Sequence, residues 1–306
     1  MRSALYAILT AVFSLTSASA QTASCTGSDL GDVRGLRNGK ILEDGTILGI
    51  SKVHINIDGY AKAYHPRNAE AGALIHLCNA GEVFLPNGTK YHGSVDNSTC
   101  AGRFMNDVAR IRDAGWRDPS VGLVRWYGIF GKGEAGIRGQ RVKGIEPVFQ
   151  ENGSGFFVSP TSFADQTLTD AADQRRYVNP LRIPAAVVPS SSFLTERGVV
   201  MGSFGVAIDR RTRIPVPFVV GDSGPRVGEG TPALARSLAG LPITDSVTRR
   251  NRFAGQVDEA RVLWVFFGSS IPPARYNHLD EQALVRSAKD AFIRWGGTAR
   301  VDSCLH

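Results

Sequence analysis

The 306-residue chain carries a formal net charge of +7, with 42% hydrophobic and 21% charged residues. Those proportions belong to an ordinary globular protein and exclude a low-complexity, collagen-like or disordered chain. The basic balance admits an anionic partner, although scattered arginines are usually a solvated surface. Residues 1 to 20 read as a secretory signal: Arg2 is the charged start, Ala4 to Leu15 the short apolar core, and Ala18-Ser19-Ala20 the small-residue cleavage site. That core is too short to span a bilayer comfortably, and no later run of about 18 apolar residues follows. The expected product is therefore exported, extracellular or periplasmic, with no membrane association after cleavage.

Residues 21 to 47 read as a loop-rich lead-in, and residues 48 to 306 as a single domain without a linker. Apolar spacing at Phe104, Val108 and Ile111 predicts a helix over residues 104 to 114. Residues 165 to 180, rich in Asp, Arg and Gln, read as a polar connection. Strands are expected over 199 to 209, over the proline-edged run 214 to 220, and over Val262-Leu263-Trp264-Val265-Phe266-Phe267. A last helix places Leu284, Ala288, Ala291 and Trp295 on one face before Gly296 stops it. The fold class is mainly β with peripheral helices. The four cysteines, Cys25, Cys78, Cys100 and Cys304, suit an oxidising compartment. Of three pairings the preferred one joins Cys78 to Cys100 and Cys25 to Cys304, because domain termini often lie close together.

The most informative stretch is Val219-Val220-Gly221-Asp222-Ser223-Gly224-Pro225-Arg226-Val227-Gly228-Glu229-Gly230-Thr231-Pro232. An apolar strand enters a glycine-rich turn with two carboxylates seven positions apart. Thr231 as N-cap and Pro232 at the first helical position start a helix immediately afterwards. The helix dipole favours an ionised Glu229, whereas desolvation at the strand mouth raises the pKa of Asp222. Carboxyls pushed in opposite directions suit glycoside hydrolysis. An ordinary capped surface turn has the same composition. Gly221-Asp222-Ser223-Gly224-Pro225 also approaches a trypsin-like nucleophile motif, but it lacks one glycine and the nearest candidate base, His76, sits in a poorly matching context.

Four blocks occur in the order seen in glycoside hydrolase family 75: Ile55 to Pro66, Leu77-Cys78-Asn79-Ala80-Gly81, Gly155 to Phe163, and Asp222 to Leu238. The chain resembles this family of fungal-type chitosanases and bacterial relatives over roughly residues 48 to 296. The resemblance implies a double-psi β-barrel-like core, by analogy, and an endo-acting, inverting hydrolase of chitosan-like β-1,4 glucosamine polymers. It puts the family's essential carboxylates on Asp222 and Glu229, the former as general acid and the latter as general base. Asp58, Tyr64, His65, Thr161 and Ser162 fall on the substrate side by block position. Two departures stand out: the segment between the carboxylates is shorter than the family pattern, and Asn56 and Ile57 thin the acidic strand before Asp58.

A non-hydrolytic wall-binding protein on the same barrel and a peptidoglycan hydrolase are the alternatives. The expected partner is a polysaccharide, and the protein is expected to be monomeric. Arg249-Arg250-Asn251-Arg252 lacks interleaved aromatics, which argues against nucleic acid. The six histidines show no ligand spacing, so neither a metal nor another cofactor is expected. Trp116, Trp126, Tyr127, Tyr64 and Trp264 are candidates for sugar stacking, with Trp126-Tyr127 the exposed pair and Trp264 better read as core. Asn87, Asn97 and Asn152 begin glycosylation sequons, which chance explains equally well.

Overall fold

The computed structural model describes residues 25–96, 102–190 and 193–305, without the side chains of residues 95 and 96. The signal-like residues 1 to 20 and Asn97 lie outside them. An antiparallel hairpin, β1 (Gly27–Val33) and β2 (Leu36–Leu42), leads into β3 (Ile47–Ile55). A lobe follows, with a three-stranded sheet of β4 (Gly81–Phe84), β5 (Lys90–His92) and β6 (Leu123–Trp126) and a ribbon of β7 (Gly131–Ile137) and β8 (Gln140–Pro147). The one-turn α1 (Gly93–Asp96) and the longer α2 (Arg103–Asp113) lie within this lobe. The chain then supplies β9 (Ala185–Pro189), α3 (Phe193–Glu196), β10 (Phe204–Asp209), β11 (Pro215–Gly224), β12 (Glu229–Gly230), α4 (Pro232–Leu238) and β13 (Val257–Phe266). It ends in α5 (Glu281–Trp295) and α6 (Gly297–Cys304).

The order β3-β12-β9-β11-β10-β13, completed by pairing of β3 with β13, closes a barrel of six strands. Two pairs, β3 with β12 and β9 with β11, are parallel, while the other contacts around the barrel are antiparallel. The structure is thus mainly β with a closed barrel and peripheral helices. Alternate side chains of the barrel strands feed two cores. Val206, Ile208, Leu263 and Val265 join Leu284, Ala288 and Trp295 of α5, whereas Ala207, Phe218, Trp264 and Phe266 pack with Leu234 and Leu238 of α4. Burial on both faces explains why the second half of β13 reads as a continuous apolar run.

The structure corrects the loop-rich reading of residues 21 to 47, since residues 27 to 42 are largely the β1–β2 hairpin. β1 is mostly exposed, and register irregularities in the β1–β2 and β2–β3 ladders break the period-two pattern that would reveal a strand. The helix α5 buries the expected face of Leu284, Ala288, Ala291 and Trp295, and the Asp280 side chain accepts from Ala283 N at 2.9 Å to cap it. Gly296 ends it at φ 125°, but the chain resumes as α6, which the sequence pattern did not reveal. This short helix carries Cys304 to Cys25, and the two form a disulfide with their Cα atoms 5.1 Å apart. Cys78 is also disulfide-bonded, while Cys100 lies outside the described residues. The polar connection 165 to 180 is held by Asp165, fully buried, which accepts from His278 N and pairs with its Nδ1 at 2.7 Å. Among the described residues no helix is long and apolar enough to cross a membrane.

Candidate active site

Asp222 lies near the end of β11, just after a register irregularity between Val220 and itself against β9. The extra residue is Gly221, whose missing side chain lets β11 approach Ala185: a Cβ there would lie 2.8 Å from that of Ala185. A bulge of this kind re-aims the following side chain. Asp222 consequently pairs in register with Val187 of β9, and on the other edge of β9 the same Val187 pairs with Glu229 of β12. The two acids thus share one row, separated by one intervening strand. Two strand spacings put their backbones roughly 9 to 10 Å apart, compatible with the roughly 6.5–9.5 Å carboxyl separation of inverting hydrolysis.

Asp222 Oδ1 accepts from Ser162 N, Ser162 Oγ and Ser223 N, each at 2.8 Å. Ser162 Oγ also lies 2.6 Å from Ser223 Oγ. Ser162 is therefore a direct partner of the acid. Around Glu229 the environment is different. Its register partner on β3 is His54, which contacts Lys52 Nζ through Nδ1 at 2.9 Å and Asp258 through Nε2 at 3.2 Å. The loop before it is gripped from both sides: Val227 N donates to Arg34 O and His54 N donates to Gly228 O, each at 2.8 Å. Immediately after it, Thr231 Oγ1 accepts from Leu234 N and Ala185 N and donates to Ile183 O, so the expected N-cap also fastens α4 to β9.

The lobe adds Asp58. Its Oδ1 accepts from Tyr64 Oη at 2.9 Å, and its backbone N donates to Asn56 Oδ1 at 2.7 Å. Gly59 follows at φ 93°, packed so closely on Val178 O and Thr161 that any Cβ would collide. The turn is clamped by the Gly155-to-Phe163 block and its neighbours: Gly59 N donates to Ser159 Oγ, and Gln174 Nε2 donates to Gly59 O at 2.9 Å and Ser159 O at 3.0 Å. Thr161 is buried and acts in the framework, donating to Phe163 O at 2.7 Å and accepting from Val178 N at 3.1 Å. His65 is likewise structural: its Nδ1 accepts from Arg67 N at 3.0 Å, and its ring meets Phe156 edge-on.

The electrostatics correct one expectation. All three carboxyls are raised, instead of Asp222 and Glu229 being pushed in opposite directions. Asp58 is pushed up to about 8 by burial first and then by the charges of Asp222 and Glu229, against the hydrogen bonds of Tyr64 and Asn56. Burial raises Asp222, opposed by the hydrogen bonds of Ser162 and Ser223. Burial also raises Glu229, but the opposing influence is the positive charge of His54, Lys52 and Arg226. The difference between the two acids therefore lies in the kind of group that offsets burial. The helix-dipole argument missed the larger effect, which is withdrawal of each carboxyl from water.

Trp126 is buried, contrary to its reading as half of an exposed pair, because its indole packs edge-on against Phe104 and Trp116 and donates to Ile145 O. Tyr127 is 45% exposed, and burial first and then the Asp58 charge raise its phenol. Trp264 is core and Trp116 half-buried. His76 Nε2 contacts Arg249, and Ser223 contacts Ser162, so neither is engaged with the other as a protease pair. Arg249, from the compact basic run, also donates to Ala73 O and packs that run onto the lobe. Asn87 and Asn152 are exposed. Among the described residues no group of three or more His, Cys, Asp or Glu is arranged to hold a metal ion. Sequence reasoning missed Lys52, His54, Arg226 and Val187; these become visible only through strand register, which no motif encodes. The chain matches no protein-family model and no curated protein.

Proposed function

We propose that the protein is an exported endo-glycosidase that hydrolyses β-1,4 bonds of an amino-sugar polymer with inversion. The observation that carries this reading is the Asp222–Val187–Glu229 row, which puts the two acids on either side of β9, roughly two strand spacings apart, a separation compatible with inverting hydrolysis. Asp222, raised by burial, donates its proton to the leaving glycosidic oxygen. Water attacks the anomeric carbon as that bond breaks, and Glu229 takes the water's proton; Lys52, His54 and Arg226 stabilise its ionised form beforehand. Asp58, protonated near neutrality and held by Tyr64, keeps a further negative charge from accumulating beside Asp222. Tyr127 offers an exposed ring for sugar stacking.

Chitosan-type chains are the substrates implied by the resemblance to family 75. The cations around Glu229 favour a second member of the same class, peptidoglycan, whose amino-sugar chain is not cationic. Reducing-end release from chitosans of graded acetylation and from peptidoglycan, with wild type and Glu229→Gln side by side, tests the reading. Release by wild type alone supports the hydrolase. Binding without release from any glycan replaces it by a wall-binding protein on the same barrel.

A further inference from the structure

Next to Glu229 runs an open groove of about 480 Å³ whose walls come from the β1–β2 turn, from β3 and from the loop before β12. Arg34, Arg37, Lys52 and Arg226 line it, against two acids, Asp32 and Asp258. Both acids already have partners: Asp32 Oδ1 accepts from Asn38 N at 3.2 Å, and Asp258 Oδ1 faces His54 Nε2 at 3.2 Å and Gln256 Nε2 at 2.9 Å. Among the described residues no carboxylate lies within ion-pair distance of Arg34, Arg37 or Arg226. Four cations thus line the groove against two carboxylates, and the three guanidinium groups face it without an ion-pair partner among the described residues.

The groove is built rather than incidental. Arg34 sits in the left-handed region at φ 47°, a conformation that costs a non-glycine residue and persists only where its surroundings impose it. Its surroundings do so: Arg34 O accepts from Val227 N at 2.8 Å, and Gly35, at φ 95°, lets the turn lie directly on the Arg226-Val227 backbone. Behind the loop, Ser51 Oγ donates to Val227 O at 3.4 Å. The turn and the loop are thus locked together, and with them Arg34 and Arg226. Val227 lines the groove and Glu229 is two residues further on, a chain span of at most roughly 7 Å, comparable to one sugar ring.

We propose that this groove is a subsite for a carboxylate-bearing sugar of the glycan chain, recognised by Arg34, Arg37 and Arg226 next to the ring that is cut at Glu229. Guanidinium groups suit this role because they match a carboxylate with two parallel hydrogen bonds. A cationic glucosamine chain would meet like charge here, so the inference narrows the amino-sugar class to its acidic members. It rests on the hydrolase reading for its position relative to the cut, but recognition itself does not require turnover.

The test compares peptide-free peptidoglycan strands, whose lactyl groups carry carboxylates, with the same strands after amidation of those carboxyls. The proteins are wild type and a double variant, Arg34→Asn with Arg37→Gln; asparagine tolerates the left-handed conformation, so the turn is kept, and neither arginine is among the cations that favour ionised Glu229. The expected result is a lower KM for the carboxylated strands with wild type, and a rise of about tenfold to a hundredfold in that KM in the double variant. Turnover number and KM for amidated strands should stay within about twofold. Equal KM values for both strands, or an equal change on both in the variant, overturns the subsite. If no strand is cut, calorimetry on the same pairs decides: carboxyl-dependent binding lost in the variant keeps the subsite and rejects the hydrolase, and absence of binding rejects both.

Discussion

The barrel and the lobe each bring carboxyls to one site, but they hold them by different means. On the barrel side Asp222 and Glu229 are placed by strand register, each opposite Val187 on either edge of β9. On the lobe side Asp58 is placed by side chains that tie loops together: Tyr64 to its carboxyl, Ser159 and Gln174 to the backbone of Gly59, and Gln150 Nε2 to Ala61 O and Phe157 O at 2.7 and 2.9 Å. Ladder geometry distributes its cost over many bonds, so one substitution rarely moves it. A loop tied by two or three amide side chains concentrates that cost, and truncating one of them leaves buried backbone groups unpaired. The barrel half of the site should therefore be robust in position and sensitive only in chemistry, and the lobe half sensitive in both.

Five substitutions probe that contrast, in order of expected effect. Asp222→Asn and Glu229→Gln should each lower turnover by about 10²- to 10⁴-fold while thermal melts show an intact fold; activity equal to wild type in either variant removes that residue from the mechanism. Cys25→Ser breaks the clasp at Cys304 on the barrel side and should cost about 2–5 kcal/mol, measured by urea unfolding. A loss confined to the lobe would show that the barrel does not depend on it.

Gln174→Ala removes the ties to Gly59 O and Ser159 O and should destabilise by about 1–3 kcal/mol, with a rise in KM larger than that from any substitution on the exposed face of β1. An unchanged KM would mean that Asp58 is held by something other than these ties. For Asp58 itself the direction of the pH effect follows from its pKa of about 8 against an ordinary carboxyl value of 3.8. Between those values the folded protein holds a proton that the unfolded chain releases, so stability falls as pH rises through that window. Asp58→Asn abolishes this loss: its melting temperature should exceed that of wild type at pH 8 and match it closely at pH 4. The opposite order would show that Asp58 is ionised in the fold.

The same contrast explains what was legible from the residues alone. The strands β10, β11 and β13 announce themselves because both of their faces are buried, and α2 and α5 because their apolar residues recur at helical spacing. Thr231 and Pro232 mark α4 by cap chemistry that is local. The two-residue β12 carries no pattern of its own and exists only because Glu229 and Gly230 bridge β3 and β9. The hairpin β1–β2 is hidden by its exposure and its irregular register, and α6 by the glycine pair at which α5 ends. At the site, the glycine-rich turn pointed to Asp222 and Glu229, but the burial that raises both and the cations that oppose it at Glu229 come from strands distant in sequence. Ser162 was assigned to the substrate side; its hydroxyl faces Asp222, a long-range contact that block position alone does not resolve.

The disulfide from Cys25 to Cys304 turns the intervening chain into a covalent ring. A protease that cuts a surface loop, such as the exposed turn at Asn87 or that at Asn152, would open the ring without dividing the molecule, since both new ends remain tethered through the clasp. A nicked molecule keeps its own pieces at high effective concentration, and the barrel can reassemble without searching for a lost half. Wherever a protease reaches such a turn, that converts a first cleavage from a terminal event into a change of connectivity.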